Sequence, residues 1–350
     1  MAARKILPIA EPDITSYAHF AFFLSVLYTD TDSLRWVYNH FVQLFMRGSL
    51  DGSLMVDYYT NNPDDHHYIP SLAGSPRLAR KMIQRCFPRF ADFVRSAIED
   101  GYYVTTFVND FYIPGTVAYQ NRSNPHSIFL YGFDDESRTF QATAFLSNQR
   151  YGVTSVGYED LERAFHGFEP ADEFHYTAYT HLYKLNERRK SSCEFHVGWL
   201  MKQLEDYRHA APSNRVKERF EVENSPPLVW GMEIYDCLLR QIERHVAREI
   251  NLDHRPFYVL WEHKRMMNRR FAYMERQGYY VVSPEAAEGY RNVEQSALVT
   301  RNLILKYWMT LDNRYLEQLA ERLIRLKDEE AVAIERLLDE YGTSHRMGGM

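Results

Sequence analysis

Cysteine is scarce in this chain. Cys86, Cys193 and Cys237 are the only three in 350 residues. They are too few, too scattered and too odd in number for a disulfide framework or a cysteine-built zinc site. A reducing compartment fits that usage. Long apolar runs are missing too. The most hydrophobic early segment, FAFFLSVLY from Phe20 to Tyr28, is far shorter than the ~20 residues a membrane span needs. The opening MAARKILPIAEPD lacks the apolar centre of a signal peptide. No basic block stands out and the net charge is −6, so neither nucleic acid nor a membrane is an expected partner. These absences together imply a soluble, cytoplasmic protein. The common chemical signatures are absent as well. There is no GxGxxG after a strand, no GxxxxGK[ST], no HExxH and no GxSxG, which removes the most readily recognised enzyme classes. No metal or nucleotide cofactor is implied.

Aromatic residues are abundant. The chain holds 26 Tyr and 21 Phe. Such a chain can bury a large core, but each buried tyrosine needs a partner for its hydroxyl, so semi-polar clefts are expected.

The chain reads as α+β, because strand signals come first and a block of helices follows, without βαβ alternation. Residues 1–185 mix the two, and residues 186–345 read as helical. In the first part, Thr15 and Ser16 are candidate caps for a buried helix from Phe20. Leu34, Val37, Tyr38, Phe41, Leu44 and Phe45 fall at helical spacing, with Gly48 as the stop. SLMVDYY is a short strand candidate. PRLARKMIQRCFPRFADFVRSAIEDG gives two helices broken near Pro88. YYVTTFVNDFYIPG reads as a strand closed by a Pro-Gly turn. SIFLYGF, TFQATAFL and YGVTSV follow as strands, YEDLERAFHGF as a helix and FHYTAYTHLYKL as a last strand. The second part offers helices in CEFHVGWLMKQLEDY, in WGMEIYDCLLRQIERHVARE, and in RPFYVLWEHKRMMNRRFAYMERQG, where Leu260, Met267, Phe271 and Met274 share a face. Two more helices fill roughly 284 to 341. SNRVKERFEVENSPP reads as a polar connector and HRMGGM as a disordered tail.

NPHSIFLYGFDDESRTF, Asn124 to Phe140, carries the most informative histidine. Strand alternation places His126 with Ile128, Leu130 and Gly132, and Ser127, Phe129 and Tyr131 on the other face. One reading is a core histidine satisfied by a backbone carbonyl. The other is a general base tuned by apolar surroundings.

PHSIFLYGFDDESRTFQATAF with YGVTSVGYEDLERAF resembles the histidine strand of papain-like proteins of the butirosin biosynthesis protein H type. These are relatives of the bacteriocin-processing peptidase domain, found beside nonribosomal peptide and polyketide assembly lines. DGYYVTTFVNDFYIPGTVAYQ is similar to the preceding strand. WGMEIYDCLLRQI, HRPFYVLWEHKRMMNRRFAYMERQGYY and ALVTRNLILKYWMT resemble its helical half. The resemblance covers most of residues 10 to 340 in order. It implies a papain-like domain with an antiparallel sheet, followed by an all-helical domain. It also implies an acyl or aminoacyl transferase of specialised-metabolite, antibiotic-type biosynthesis. The acyl group would come from the phosphopantetheine thioester of an acyl or peptidyl carrier protein and go to a small-molecule amine or to water. The phosphopantetheine would arrive with the substrate, so no resident cofactor is expected. In such a fold a cysteine at the start of the first long helix attacks the thioester, and an acid or amide on the strand after the histidine strand orients the imidazole.

The sequence departs from that pattern. No cysteine precedes Cys86. The helix start reads ITSYAHF, and Ala144 and Phe145 stand where the orienting group is expected. His126 matches. Three explanations stay open. Ser16, with Ser25 and Thr15 as neighbouring hydroxyls, replaces the cysteine. Alternatively His126, with Asp110 or Tyr112 from the adjacent strand, deprotonates an amine that attacks the thioester directly. In the third, the protein is a non-catalytic carrier-binding partner. A peptide hydrolase or cyclase is disfavoured by the missing cysteine. Self-association into a homo-oligomer is left open.

Four other features carry weaker readings. Cys193 begins a helix with His196 one turn on. Cys237 reads as packing and Cys86 as structural. DDHHYIP, Asp64 to Pro70, reads as a solvated loop, not a metal cluster. WEHKRMMNRR, Trp261 to Arg270, reads as a solvated salt-bridged helix face or as a dock for an acidic carrier domain.

Overall fold

The computed structural model describes residues 3–48, 54–60, 69, 72, 75–147, 150–173, 175–186, 193–213 and 228–347. In chain order the elements are β1 (Arg4–Ile6), α1 (Ala18–Leu27), α2 (Ser33–Asn39), β2 (Leu44–Gly48), β3 (Leu54–Tyr58), β4 (Arg77–Ala79), α3 (Arg80–Cys86), α4 (Phe90–Glu99), β5 (Tyr103–Asn109), β6 (Pro125–Asp134), β7 (Thr139–Phe145), β8 (Tyr151–Gly157), α5 (Tyr158–His166) and β9 (Tyr179–Tyr183). They continue with α6 (Val197–Arg208), β10 (Val229–Trp230), α7 (Ile234–Val246), α8 (Arg255–Arg276), α9 (Pro284–Thr310) and α10 (Arg314–Met347). The class is α+β with antiparallel sheets. Among the described residues, no helix is long and apolar enough to cross a membrane.

Two compact units divide the chain: Met1–Trp36 with Asp65–Cys193, and Val37–Asp64 with Glu194–Met350. Residues 37–64, which the sequence reading grouped with the N-terminal half, therefore belong to the second unit. The loop DDHHYIP and the connector SNRVKERFEVENSPP lie almost wholly outside the described residues.

The first unit is a seven-stranded sheet in the order β4-β9-β5-β6-β7-β8, with β1 also on β6. Every pairing is antiparallel. The alternating and β-branched runs read from the sequence form β5 to β8. α1 packs on the sheet through Phe22, whose ring stacks on Phe129 of β6 at 5.3 Å. The residue capping α1 is Tyr17, with no side-chain bond to the helix, so Ser16 stands one position before the cap instead of forming it.

Arg80, only 4% exposed, clamps this unit. Its guanidinium donates to Thr106 Oγ1 at 3.1 Å, Phe107 O at 2.6 Å, Phe165 O at 2.6 Å and Phe168 O at 3.3 Å, and it lies 3.7 Å over the Phe165 ring. The Phe165 and Phe168 carbonyls sit at the C-terminal end of α5, where helix carbonyls lack partners and the dipole is negative. A cation there is favourable even though it forms no ion pair with a carboxylate among the described residues. Burial still pulls the guanidinium down to about 10, so it stays charged at neutral pH. Arg80→Met leaves those acceptors dry. A loss of about 2–4 kcal/mol is expected in chemical denaturation. A loss below about 1 kcal/mol would mean that solvent already serves the carbonyls.

The second unit is not the all-helical domain that the resemblance implied: besides helices α6 to α10 it holds the three-stranded sheet β10-β2-β3, because β10 pairs with the early strand β2. Here two further expectations are corrected. The helix expected to run to Gly48 stops at Asn39, and residues 44–48 form a strand paired with β3. Phe41 adopts a left-handed φ of 59°. Arg270 of α8 takes up the carbonyls at the break, donating to Tyr38 O at 2.7 Å and His40 O at 2.6 Å. Val42, Leu44, Phe45 and Met46 are all buried. A run buried on every side suits a strand as well as a helix, and tertiary pairing decided.

The second correction concerns Trp261 to Arg270. Glu262, His263, Lys264 and Arg270 are all 0% exposed, so these residues form neither a solvated face nor a dock. Lys264 Nζ pairs with Glu330 Oε1 of α10 at 2.5 Å. It also donates to the Tyr207 hydroxyl at 2.9 Å and meets His263 Nδ1 at 3.0 Å. Glu330 accepts from the hydroxyls of Tyr207 at 3.1 Å, Tyr235 at 2.6 Å and Tyr290 at 3.1 Å. His263 Nε2 donates to Val42 O at 2.6 Å, which leaves Nδ1 as the acceptor for the ammonium. All three Lys264 protons and four carboxylate acceptor positions are used. Burial holds the three phenols well above their ordinary range. It holds the imidazole well below its own, helped by the Lys264 charge.

Candidate functional site

β5 and β6 bring His126 to a corner of the first sheet. Pro125 opens β6 opposite Asn109, and His126 pairs with Val108. Proline suits the first residue of a strand because it has no amide proton to offer the ladder. The connecting loop starts with a turn in which Thr116 N donates to Ile113 O at 3.4 Å and Gly115 has φ 83°. Pro114 and Gly115 thus occupy the positions that a type II turn favours. The half-buried imidazole has Nδ1 3.2 Å from Ser127 O. The Phe145 ring meets it edge-on, with centroids 5.6 Å apart at 71°. An aromatic edge therefore occupies the position where an orienting acid was expected.

The acid comes from the other side. Asp110 follows β5 and is 5% exposed. Its amide donates to Asn124 O at 2.9 Å, and its Oδ2 accepts from Asn124 Nδ2 at 3.2 Å. Its carbonyl accepts from Thr116 Oγ1 at 3.1 Å. Oδ1 is buried and has no hydrogen-bond partner among the described residues. Burial raises the carboxyl to about 6, against the lowering effects of the His126 charge and the Asn124 bond. Asn109 ties the corner together. Its Oδ1 accepts from Phe111 N and Asn124 N, both at 3.1 Å. Its Nδ2 donates to Ser123 Oγ at 2.9 Å and Gly167 O at 3.1 Å. The sequence reading passed over both asparagines. Their signal was position: an Asx residue at each end of a strand–turn–strand connection, where the side chain bonds local backbone.

The other candidates fall elsewhere. Tyr112 lies toward α5, where the Arg163 guanidinium sits 5.6 Å over its ring and a side chain at Gly167 would meet it at 3.0 Å. Ser16 is half-buried just ahead of α1. Ser25 is fully buried in α1. Its Oγ donates to Ala21 O and shares a 2.7 Å bond with the Tyr151 hydroxyl. The Phe145 ring lies within contact range of both His126 and Tyr151. Cys193 does not begin a helix, because α6 starts at Val197 with His196 as its cap residue. Cys237 is buried, accepts from Arg240 Nη2 at 2.8 Å and has its thiol pushed up by burial. Cys86 is exposed. Among the described residues no group of three or more His, Cys, Asp and Glu is placed to hold a metal ion.

The raised carboxyl has a stability consequence. The folded Asp110 holds its proton up to about pH 6, whereas its ordinary value is 3.8. Folding therefore takes up a proton between those limits, and stability from this group is lost as pH rises through that window. Asp110→Asn is expected to stabilise the protein by about 1–3 kcal/mol at neutral pH. The gain should disappear below the ordinary carboxyl value. Thermal unfolding at both pH values measures it, and destabilisation at neutral pH would contradict a carboxylate held there at a cost.

No protein-family model matches the sequence, and no curated protein matches it.

Proposed function

We propose that the protein transfers an acyl or aminoacyl group from a carrier-protein phosphopantetheine thioester to a small-molecule amine or to water, with His126 as the general base. The observation that carries this reading is the half-buried imidazole of His126 at the start of β6, close enough for its charge to act on the buried carboxyl of Asp110. A base close to a carboxylate is stabilised when it becomes cationic, which is what proton abstraction requires. A papain-like arrangement is supported by α1 packing on an antiparallel sheet whose histidine strand carries Phe129 against Phe22. With no cysteine near α1, direct attack is the simpler route. The amine nitrogen forms the new C–N bond, the C–S bond breaks, and the proton passes through the imidazole to the leaving sulfur.

The test uses a panel of acyl-pantetheine thioesters with simple amines, following free thiol and intact protein mass. Thiol release without an adduct, lost in His126→Ala, supports direct transfer. An adduct on Ser16 would instead establish a serine nucleophile. A second reading, a carrier-binding partner without catalysis, is favoured by the missing cysteine at the helix start. It predicts carrier binding with no thiol release from any thioester, and that result would overturn the transferase.

A further inference from the structure

We infer that Asn124 is a positioning residue that holds Asp110 with one oxygen engaged and the other turned free as the partner for the His126 imidazole. The geometry is that of a two-point latch. The Asn124 carbonyl accepts the Asp110 amide at 2.9 Å, and the Asn124 side chain donates to Oδ2 at 3.2 Å. Rotation about the Asp110 side chain would break the second bond, so the latch fixes which oxygen stays open. Oδ1 is then a buried acceptor without a donor among the described residues. A buried acceptor left dry is costly. The nearby group whose charge acts on this carboxyl is the half-buried imidazole two residues beyond Asn124, whose Nδ1 lies 3.2 Å from the Ser127 carbonyl. Asn109 in turn fixes the latch, accepting the Asn124 amide at 3.1 Å. On this inference the orienting acid comes from the turn just after β5, set by an asparagine at the far end of the connecting loop.

The charged groups around the carboxyl are few. His126 faces it from β6. On α5, packed against the Asp110 turn, Arg163 pairs with Asp160, and His166 with Glu162 at 3.0 Å. Burial raises the Asp110 carboxyl, and among the described residues His126 and Asn124 oppose it, both favouring the charged form.

The inference rests on the reading of His126 as the base only for its effect on turnover. The decisive measurement needs no substrate: a carbon-13 titration of the Asp110 carboxyl in full-length protein. The wild-type midpoint is expected near 6. Asn124→Ala removes a donor to the charged form and is expected to raise that midpoint. His126→Gln removes the neighbour whose charge lowers the carboxyl without touching the loop, and is expected to raise the midpoint as well. Ser123→Ala removes a loop bond to Asn109 and should leave the midpoint in place. An unchanged midpoint in His126→Gln, or in a folded Asn124→Ala, overturns the proposal. So does an equal rise in Ser123→Ala. If thiol release is observed, its acid limb should follow the Asp110 midpoint upward in Asn124→Ala. A protein silent toward every thioester removes the transferase reading and leaves the latch to be decided by the titration.

Discussion

Lys264→Met is expected to cost about 3–5 kcal/mol, and Glu330→Gln a similar amount. Each leaves half of an ion pair without its counter-charge at a place where both side chains are 0% exposed. In Lys264→Met the carboxylate keeps three phenol donors but no cation. In Glu330→Gln the ammonium keeps Tyr207 and His263, and the phenols lose two charged oxygens. Restoring charge balance with Lys264→Met and Glu330→Gln together should return part of the loss, because neither residue then buries a charge. Urea denaturation of the four proteins closes the cycle. Single-variant losses below about 1 kcal/mol would mean that water reaches the pair. The same cluster contributes to alkaline sensitivity. The three buried phenols hold their protons well above the ordinary value of 10, so folding binds more protons than unfolding above that pH. Stability from these groups is present below pH 10 and is lost as pH rises beyond it.

His126→Ala is expected to lower thioester turnover by about 10²–10⁴-fold, the range for a removed general base. On the proposed role the loss should fall on kcat, with KM nearly unchanged, because a base that moves a proton does not hold the acyl chain. Turnover by the wild type should also fall as pH drops through about 6, where Asp110 takes its proton and the charge that supports the imidazolium disappears. In Asp110→Asn that limb should be absent and the plateau lower. A His126→Ala protein within about threefold of wild type would remove this residue from the chemistry.

The sheet was legible because β5 to β8 are short runs rich in β-branched and aromatic residues, separated by turns with strong residue preferences such as Pro114-Gly115. The end of α2 was not. Leu44 and Phe45 continue the helical spacing of Leu34 and Val37, and the helix ends through tertiary structure: pairing of residues 44–48 with β3 and carbonyl capture by Arg270, some 230 positions away. His126 and Asp110 were both visible from the sequence as polar groups at the ends of adjacent strands. Which of Asp110 and Tyr112 faces the histidine depends on the twist of a short turn that periodicity does not encode. The Lys264 cluster was misread because charged residues in a helix usually face water. A signal was present: Leu319, Leu323, Leu326, Glu330, Ala333 and Leu337 follow one another at alternating spacings of four and three. Glu330 thus holds a place in an otherwise apolar stripe.

The split composition of the second unit has a consequence for synthesis. Residues 37–64 leave the ribosome early, yet their unit is completed only by residues 194–350. At about 5–20 residues per second the wait is on the order of tens of seconds. Until those residues emerge, the run Val42 to Met46 can pair with β3 on one edge but lacks β10 on the other. An apolar strand with an open edge on a nascent chain is prone to aggregate. Soluble yield is therefore expected to respond to chaperone supply during elongation as well as to the stability of the finished fold.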